Sequence, residues 1–202
     1  MIAILTGDII HSRSLKTKAW LTVLKQALHQ AVGKENWEIF RGDSFQTQIV
    51  PEEALIKSIY LKASIKTLKG LDVRIAIGLG EIEFSAKKIT ESNGEAFIHS
   101  GEKLDELKEN RLTLAVRSRW QEFDYEMNVA IRLALIAMDN WSQASAEMVK
   151  LSIEKSGISQ SELAELSGKS QSTVSEALKR ARFAEILELD RLYRKKVSRL
   201  DK

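Results

Sequence analysis

The sequence predicts an α+β protein: a ferredoxin-like α/β sandwich over residues 1–117, followed by an all-α part at the C-terminus. Three observations carry this expectation. Short apolar runs alternate with helical patterns through residues 1–116, and Gly42-Asp43 separates two strand-like runs as a hairpin signal. Beyond Arg117 the apolar residues recur only at three- and four-residue spacing.

Residues 1–6 (MIAILT) read as a buried strand, with Gly7-Asp8 as the turn that ends it. Ser14 precedes a helix that carries Leu15, Ala19, Leu21, Leu24 and Leu28 on one broad face and closes near Gly33. Residues 37–41 and 44–50 form two strands about Gly42-Asp43. Pro51 opens a second helix, with Ala54, Leu55, Ile59, Ala63 and Leu68 inward and Gly70 at its end. A strand at 73–79, a helix at 94–107 and a strand at 112–116 complete the order β-α-β-β-α-β-α-β. That order calls for a mixed sheet with the first strand beside the hairpin. Trp120, Phe123, Met127, Ile131, Ala134, Met138 and Trp141 then mark a long helix. Residues 118–142 are read as a connecting or dimerisation helix, whose stripe packs the two parts together or pairs two chains. Helices at 145–156, 160–167, 171–182 and 183–197 make a second domain over 143–202.

Composition narrows the function classes. Hydrophobic residues make up 44% and charged residues 29%, as in an ordinary globular chain. No run of apolar residues is long enough to span a membrane, and no basic segment precedes an apolar one at the start, so neither a membrane helix nor a secretory signal is expected. Cysteine is absent, which excludes disulfides, thiolate metal sites and cysteine nucleophiles and fits a cytoplasmic protein. His11, His29 and His99 fall on different elements, against a histidine-rich zinc site. The net charge of +3 sits entirely in residues 141–202, where 12 Lys+Arg face 9 Asp+Glu. From Lys169 onward the count is 10 against 5, which points to an anionic partner for this third.

Residues 160–179 (QSELAELSGKSQSTVSEALK) read as a helix-turn-helix. Ala164 is small where the helices cross, and Gly168 supplies the positive φ of the turn. Leu163, Leu166, Val174, Ala177 and Leu178 fill the inside. Ser159 and Ser170 stand as N-caps, with Glu162 completing a capping box on the first. The outer face of the second helix is left with Gln171, Ser172, Thr173, Ser175, Lys179 and Arg180, residue types that reach base edges and phosphates of double-stranded DNA. Glu176 on the same helix opposes this. Arg182, Arg191, Arg194, Lys195, Lys196 and Arg199 would add sequence-independent phosphate contacts.

Asp8 and Asp43 are the other candidates. With the first strand beside the hairpin, their carboxylates approach one another, and oxygen-only ligation suits Mg²⁺ or Mn²⁺. Paired metals on such carboxylates clamp a triphosphate for in-line displacement. Gly-Asp also suits a turn for its own geometry.

Three segments, Gly7 to Arg13 (GDIIHSR), Arg41 to Phe45 (RGDSF) and Val73 to Glu81 (VRIAIGLGE), resemble the skeleton of class III nucleotidyl cyclase domains. The resemblance implies Asp8 and Asp43 as metal carboxylates. It also implies Ile9, Ile10, His11, Ser12 and Arg13 as a phosphate-binding turn for a nucleotide. Ile98 stands where those cyclases carry an Asn, and Glu102 or Lys103 where they carry an Arg, so the resemblance implies binding rather than cyclisation. The whole chain is more similar to the SatD family of bacterial proteins. That likeness runs from Gly-Asp-Ile-Ile-x-Ser-Arg at Gly7 to Arg13, through Gly42-Asp43-Ser44-Phe45-Gln46, to the helix-turn-helix preceded by Trp141. It implies a regulator and adds Arg13 and Gln46 to the ligand-site candidates.

The reading is therefore a cytoplasmic, homodimeric DNA-binding transcriptional regulator whose sandwich senses a nucleotide or divalent metal. The alternative is a metal-dependent nucleotidyl or phosphoryl-transfer enzyme with a helical regulatory tail.

Overall fold

A computed structural model describes residues 1–33 and 36–200. Asp201 and Lys202, which the expected C-terminal domain includes, lie outside the described residues. The elements run β1 (Ile2–Ile10), α1 (Thr17–Val32), β2 (Trp37–Phe40), β3 (Ser44–Ile49), α2 (Ala54–Lys66), β4 (Asp72–Gly80), α3 (Glu95–Glu109) and β5 (Leu114–Arg117). They continue as α4 (Gln121–Met138), α5 (Gln143–Glu154), α6 (Gln160–Ser167), α7 (Gln171–Arg180) and α8 (Phe183–Val197). The fold is α+β, with one five-stranded mixed sheet and a helical C-terminal part.

The sheet order is β2-β3-β1-β4-β5. β1 pairs antiparallel with both β3 and β4, and β5 joins β4 in parallel across α3. The first four strands with α1 and α2 make the ferredoxin-like βαββαβ unit expected from the sequence, extended by α3 and β5. Alternation along β1 sorts the two faces. Ala3, Leu5 and Ile9 join the core under α1 and α2, whereas Ile4 packs with Ala96 and Phe97 at the start of α3.

Gly7 and Asp8 do not form a turn. Both lie inside β1, which runs on to Ile10. Gly7 is needed for space rather than for bending, because a Cβ there would come within 2.6 Å of the Arg74 carbonyl and the Phe45 ring. A dipeptide that marks turns in isolation is overruled by pairing on both sides, Gly7 with Phe45 and Ile75.

The helical part shares the main core. Phe123, Met127, Ile131, Leu135 and Met138 of α4, Ala146 and Val149 of α5, and Phe183, Ile186 and Tyr193 of α8 belong to the same buried cluster as the sheet. α4 starts after Trp120 and ends before Trp141, whose indole donates instead to the Ala181 carbonyl at 2.9 Å. A charge cluster around one buried lysine ties these parts together. Lys62 of α2, 1% exposed, reaches Asp72 at 2.8 Å, Asp139 at 2.7 Å and Thr113 at 3.1 Å. Lys66 adds Asp72 and the Asp139 carbonyl. With two cations against two carboxylates, no charge in this cluster is left unpaired, as burial demands. No helix among the described residues is long and apolar enough to cross a membrane.

Candidate nucleic-acid interface

Local chemistry builds the helix-turn-helix. The Ser159 hydroxyl accepts from the Glu162 N–H at 3.2 Å, and Glu162 reaches back to the Ser159 N–H at 2.7 Å, closing the capping box. Donation from the Ser159 N–H, and from its hydroxyl at 2.8 Å, holds the Glu162 carboxyl below its ordinary value. Gly168 ends α6 in the left-handed region at φ 64°. Ser170 then caps α7 by accepting from the Thr173 N–H at 3.2 Å. α5 and α6 both pack on α7, and Met148, Leu163, Ala164, Val174 and Ala177 form their small core.

α7 buries Val174 and Ala177, with Leu178 partly covered. Gln171, Ser172, Thr173, Ser175, Lys179 and Arg180 are all exposed on its other side. Leu166 departs from expectation: it is 61% exposed, not inside. In α6 the inward positions are the adjacent pair Leu163 and Ala164, and Leu166 falls about 110° around the helix from the centre of that pair, on the side away from Ala164. The basic residues of α8 are largely occupied. Arg182 pairs with Glu185, Arg191 with Glu188, Arg194 with Asp190, and Lys196 with Glu126 of α4. Lys195 and Arg199 are exposed cations without an ion pair among the described residues.

The sandwich candidates gather at one end of the sheet. Asp8 is in register with Ser44, and the Ile9 N–H donates to the Asp43 carbonyl at 3.2 Å, so β1 and the hairpin loop adjoin. The two carboxylates, however, have different partners. Asp8 is held by Arg74 at 2.7 Å and Lys108 at 3.8 Å, whereas Asp43 accepts from the Ser12 hydroxyl at 2.6 Å. A divalent ion fits this arrangement poorly, since the charge it would neutralise on Asp8 is already met by a guanidinium and an ammonium. Among the described residues no three His, Cys, Asp or Glu side chains group to hold a metal.

His11 sits in the left-handed region at φ 63°, and Ser12–Ser14 form a single 3-10 turn leading to α1. Arg13 is exposed there. Gln46 instead donates to Thr6, which bonds Ser100 of α3 at 2.8 Å. Ile98 is 50% exposed on α3, while Glu102 pairs with Arg117 and Lys103 with Glu106. Arg74 was the one visible sequence signal for the Asp8 partner, a lone charge in an apolar strand. Lys108, Thr6 and Ser100 gave none.

The SatD family model matches residues 1–189, which spans the sheet, the turn at Gly168 and the first half of α8. The chain belongs to the SatD family. Neither a curated protein nor a solved structure matches this SatD-family chain.

Proposed function

We propose that this SatD-family protein is a DNA-binding regulator that reads duplex DNA through α7. The observation that carries the reading is the division of α7 itself. Its inner residues are buried against α5 and α6, while a capped N-terminus and six polar or basic side chains stand exposed. A helix so presented meets the steric demand of the major groove, and short amide and hydroxyl groups near its start suit base edges. One such motif covers a half-site, which favours a homodimer. The exposed Leu133 and Ile136 of α4 and Leu192 of α8 supply an apolar face for pairing.

The test is fluorescence anisotropy with random-sequence duplex DNA across a salt series. The expected result is an affinity that falls steeply with salt. Replacing Lys179 and Arg180 together by Ala should reduce the log–log slope by about 2. No binding of either protein at low salt overturns the reading.

For the sandwich, we propose a nucleotide-type anion at the turn from His11 to Ser14. Arg13 is exposed there without a partner among the described residues, and Ser12 links the turn to the hairpin through Asp43. Thermal unfolding with ATP or GTP, with and without Mg²⁺ or Mn²⁺, should show a rise in melting temperature that Arg13→Ala reduces. Product formation under the same conditions would favour the transferase alternative instead.

A further inference from the structure

The two hydrophobic clusters of the helical part meet incompletely. Met148, Leu163, Ala164, Val174 and Ala177 form one, whereas Phe183, Ile186 and Leu189 of α8 belong to the main core. Leu178 packs against both. At this seam lies a cavity of about 460 Å³, bounded by the start of α2, the end of α5, the start of α6 and α8. Small-molecule sites fall in roughly this range, ~300–1,000 Å³, and favour junctions between units.

The lining has two characters. Ile56, Ile153, Leu163, Leu178, Phe183 and Leu187 give an apolar wall. Lys57 and Arg194 bring positive charge, with Glu53 exposed at the rim. The Lys57 ammonium makes no ion pair or hydrogen bond among the described residues. Arg194 is fixed in place through Nε, which donates to Asp190 Oδ2 at 2.6 Å. Asp190 is itself 5% exposed. Its Oδ1 is buried and has no hydrogen-bond partner among the described residues. The terminal nitrogens of Arg194 carry no partner among the described residues, so an anchored guanidinium and a free ammonium both border an apolar space.

We propose that this cavity binds an amphipathic organic monoanion, with its carboxylate held by Lys57 and Arg194 and its aliphatic or aromatic body against the apolar wall. Arg194 supplies paired donors in a fixed plane, the geometry that a carboxylate accepts. A polyphosphate is disfavoured, because Asp190 already pairs Arg194, Glu53 stands at the rim, and the wall offers its sugar and base few hydrogen bonds. A bound molecule would touch α2 of the body and the start of α6 together. Occupancy would therefore stiffen the seat of the helix-turn-helix on the body, by the linkage of binding to one arrangement of the two.

The inference stands apart from DNA binding, and its test needs no DNA. Octanoate and 3-phenylpropionate are titrated calorimetrically into the full-length protein, with 1-octanol as the uncharged control. At least one carboxylate should give saturable one-site binding, with octanol far weaker. Lys57→Gln, which breaks no existing contact, should weaken binding roughly tenfold, or about 1.4 kcal/mol. Ser156→Trp fills the mouth from an exposed position and should abolish it, with its melting curve confirming the fold. Failure of both carboxylates to saturate, octanol binding as tightly, or undiminished binding in both variants each overturns the proposal.

Discussion

The α2 and α7 helices are of similar length and are buried in opposite ways. In α2, eleven residues from Ala54 to Ile65 are buried, including Ser58, Lys62 and Ser64. In α7 only Val174 and Ala177 are. α2 is enclosed by the sheet on one side and by α1, α5 and α8 on others, so its polar groups must find internal partners. Ser58 and Ser64 accordingly donate to carbonyls one turn back, and Lys62 enters the Asp72–Asp139 cluster. α7 has no such obligation. It rests on a five-residue cluster, and among the described residues its exposed hydroxyls and cations bond only within the helix and its cap, Ser172 and Thr173 to Ser170 and Arg180 to the Glu176 carbonyl. The contrast separates a scaffold from a presented surface. Stability should be global in the first region and local in the second.

Substitutions in each region put this division to the test. The largest effect is expected of Gly7→Val in the sheet, since its side chain meets a backbone carbonyl as well as the Phe45 ring and neither can yield freely. Side-chain overpacking alone costs about 1–3 kcal/mol; with a backbone carbonyl also in the way the loss should exceed about 5 kcal/mol, read as a large fall in urea midpoint. A more discriminating pair is Ile59→Ala in α2 and Leu163→Ala in α6. Each should cost about 2–5 kcal/mol locally. Ile59→Ala should lower amide protection throughout the chain, whereas Leu163→Ala should strip protection from α6 and α7 and leave the sheet protected. Equal loss everywhere from both variants would show that the two regions unfold as one.

Smaller effects fall on the caps. Ser170→Ala removes the acceptor for the Thr173 N–H and should cost about 1 kcal/mol, read as fraying at the start of α7. The smallest effect is a pH dependence. The Ser159 N–H and hydroxyl hold the Glu162 carboxyl below its ordinary value of 4.5. A lowered carboxyl pKa stabilises the fold above the unfolded value and loses that contribution as pH falls through the folded one. Amide protection at the start of α6, taken relative to the intrinsic exchange rate, should therefore fall as pH drops below 4.5, and Glu162→Gln should flatten that response.

One part of this structure is set by neighbours along the chain. The order of strands and helices, the hairpin after Phe40, the capping box at Ser159, the cap at Ser170 and the left-handed Gly168 all follow from spacing and from side chains bonding their own backbone within a few residues. The tertiary structure decided what depends on register and crossing. It carried β1 through Gly7 and Asp8 because strands pair on both sides, and it turned Leu166 outward because the crossing of α6 on α7 uses Leu163 and Ala164. It gave Asp8 an arginine 66 positions away and a lysine from α3 in place of the neighbouring carboxylate. It also left the seam at Lys57 and Arg194, where elements far apart in sequence face one another across a cavity. Periodicity fixes which residues of an element turn inward, but the partner each one meets is set by how the elements are laid against one another.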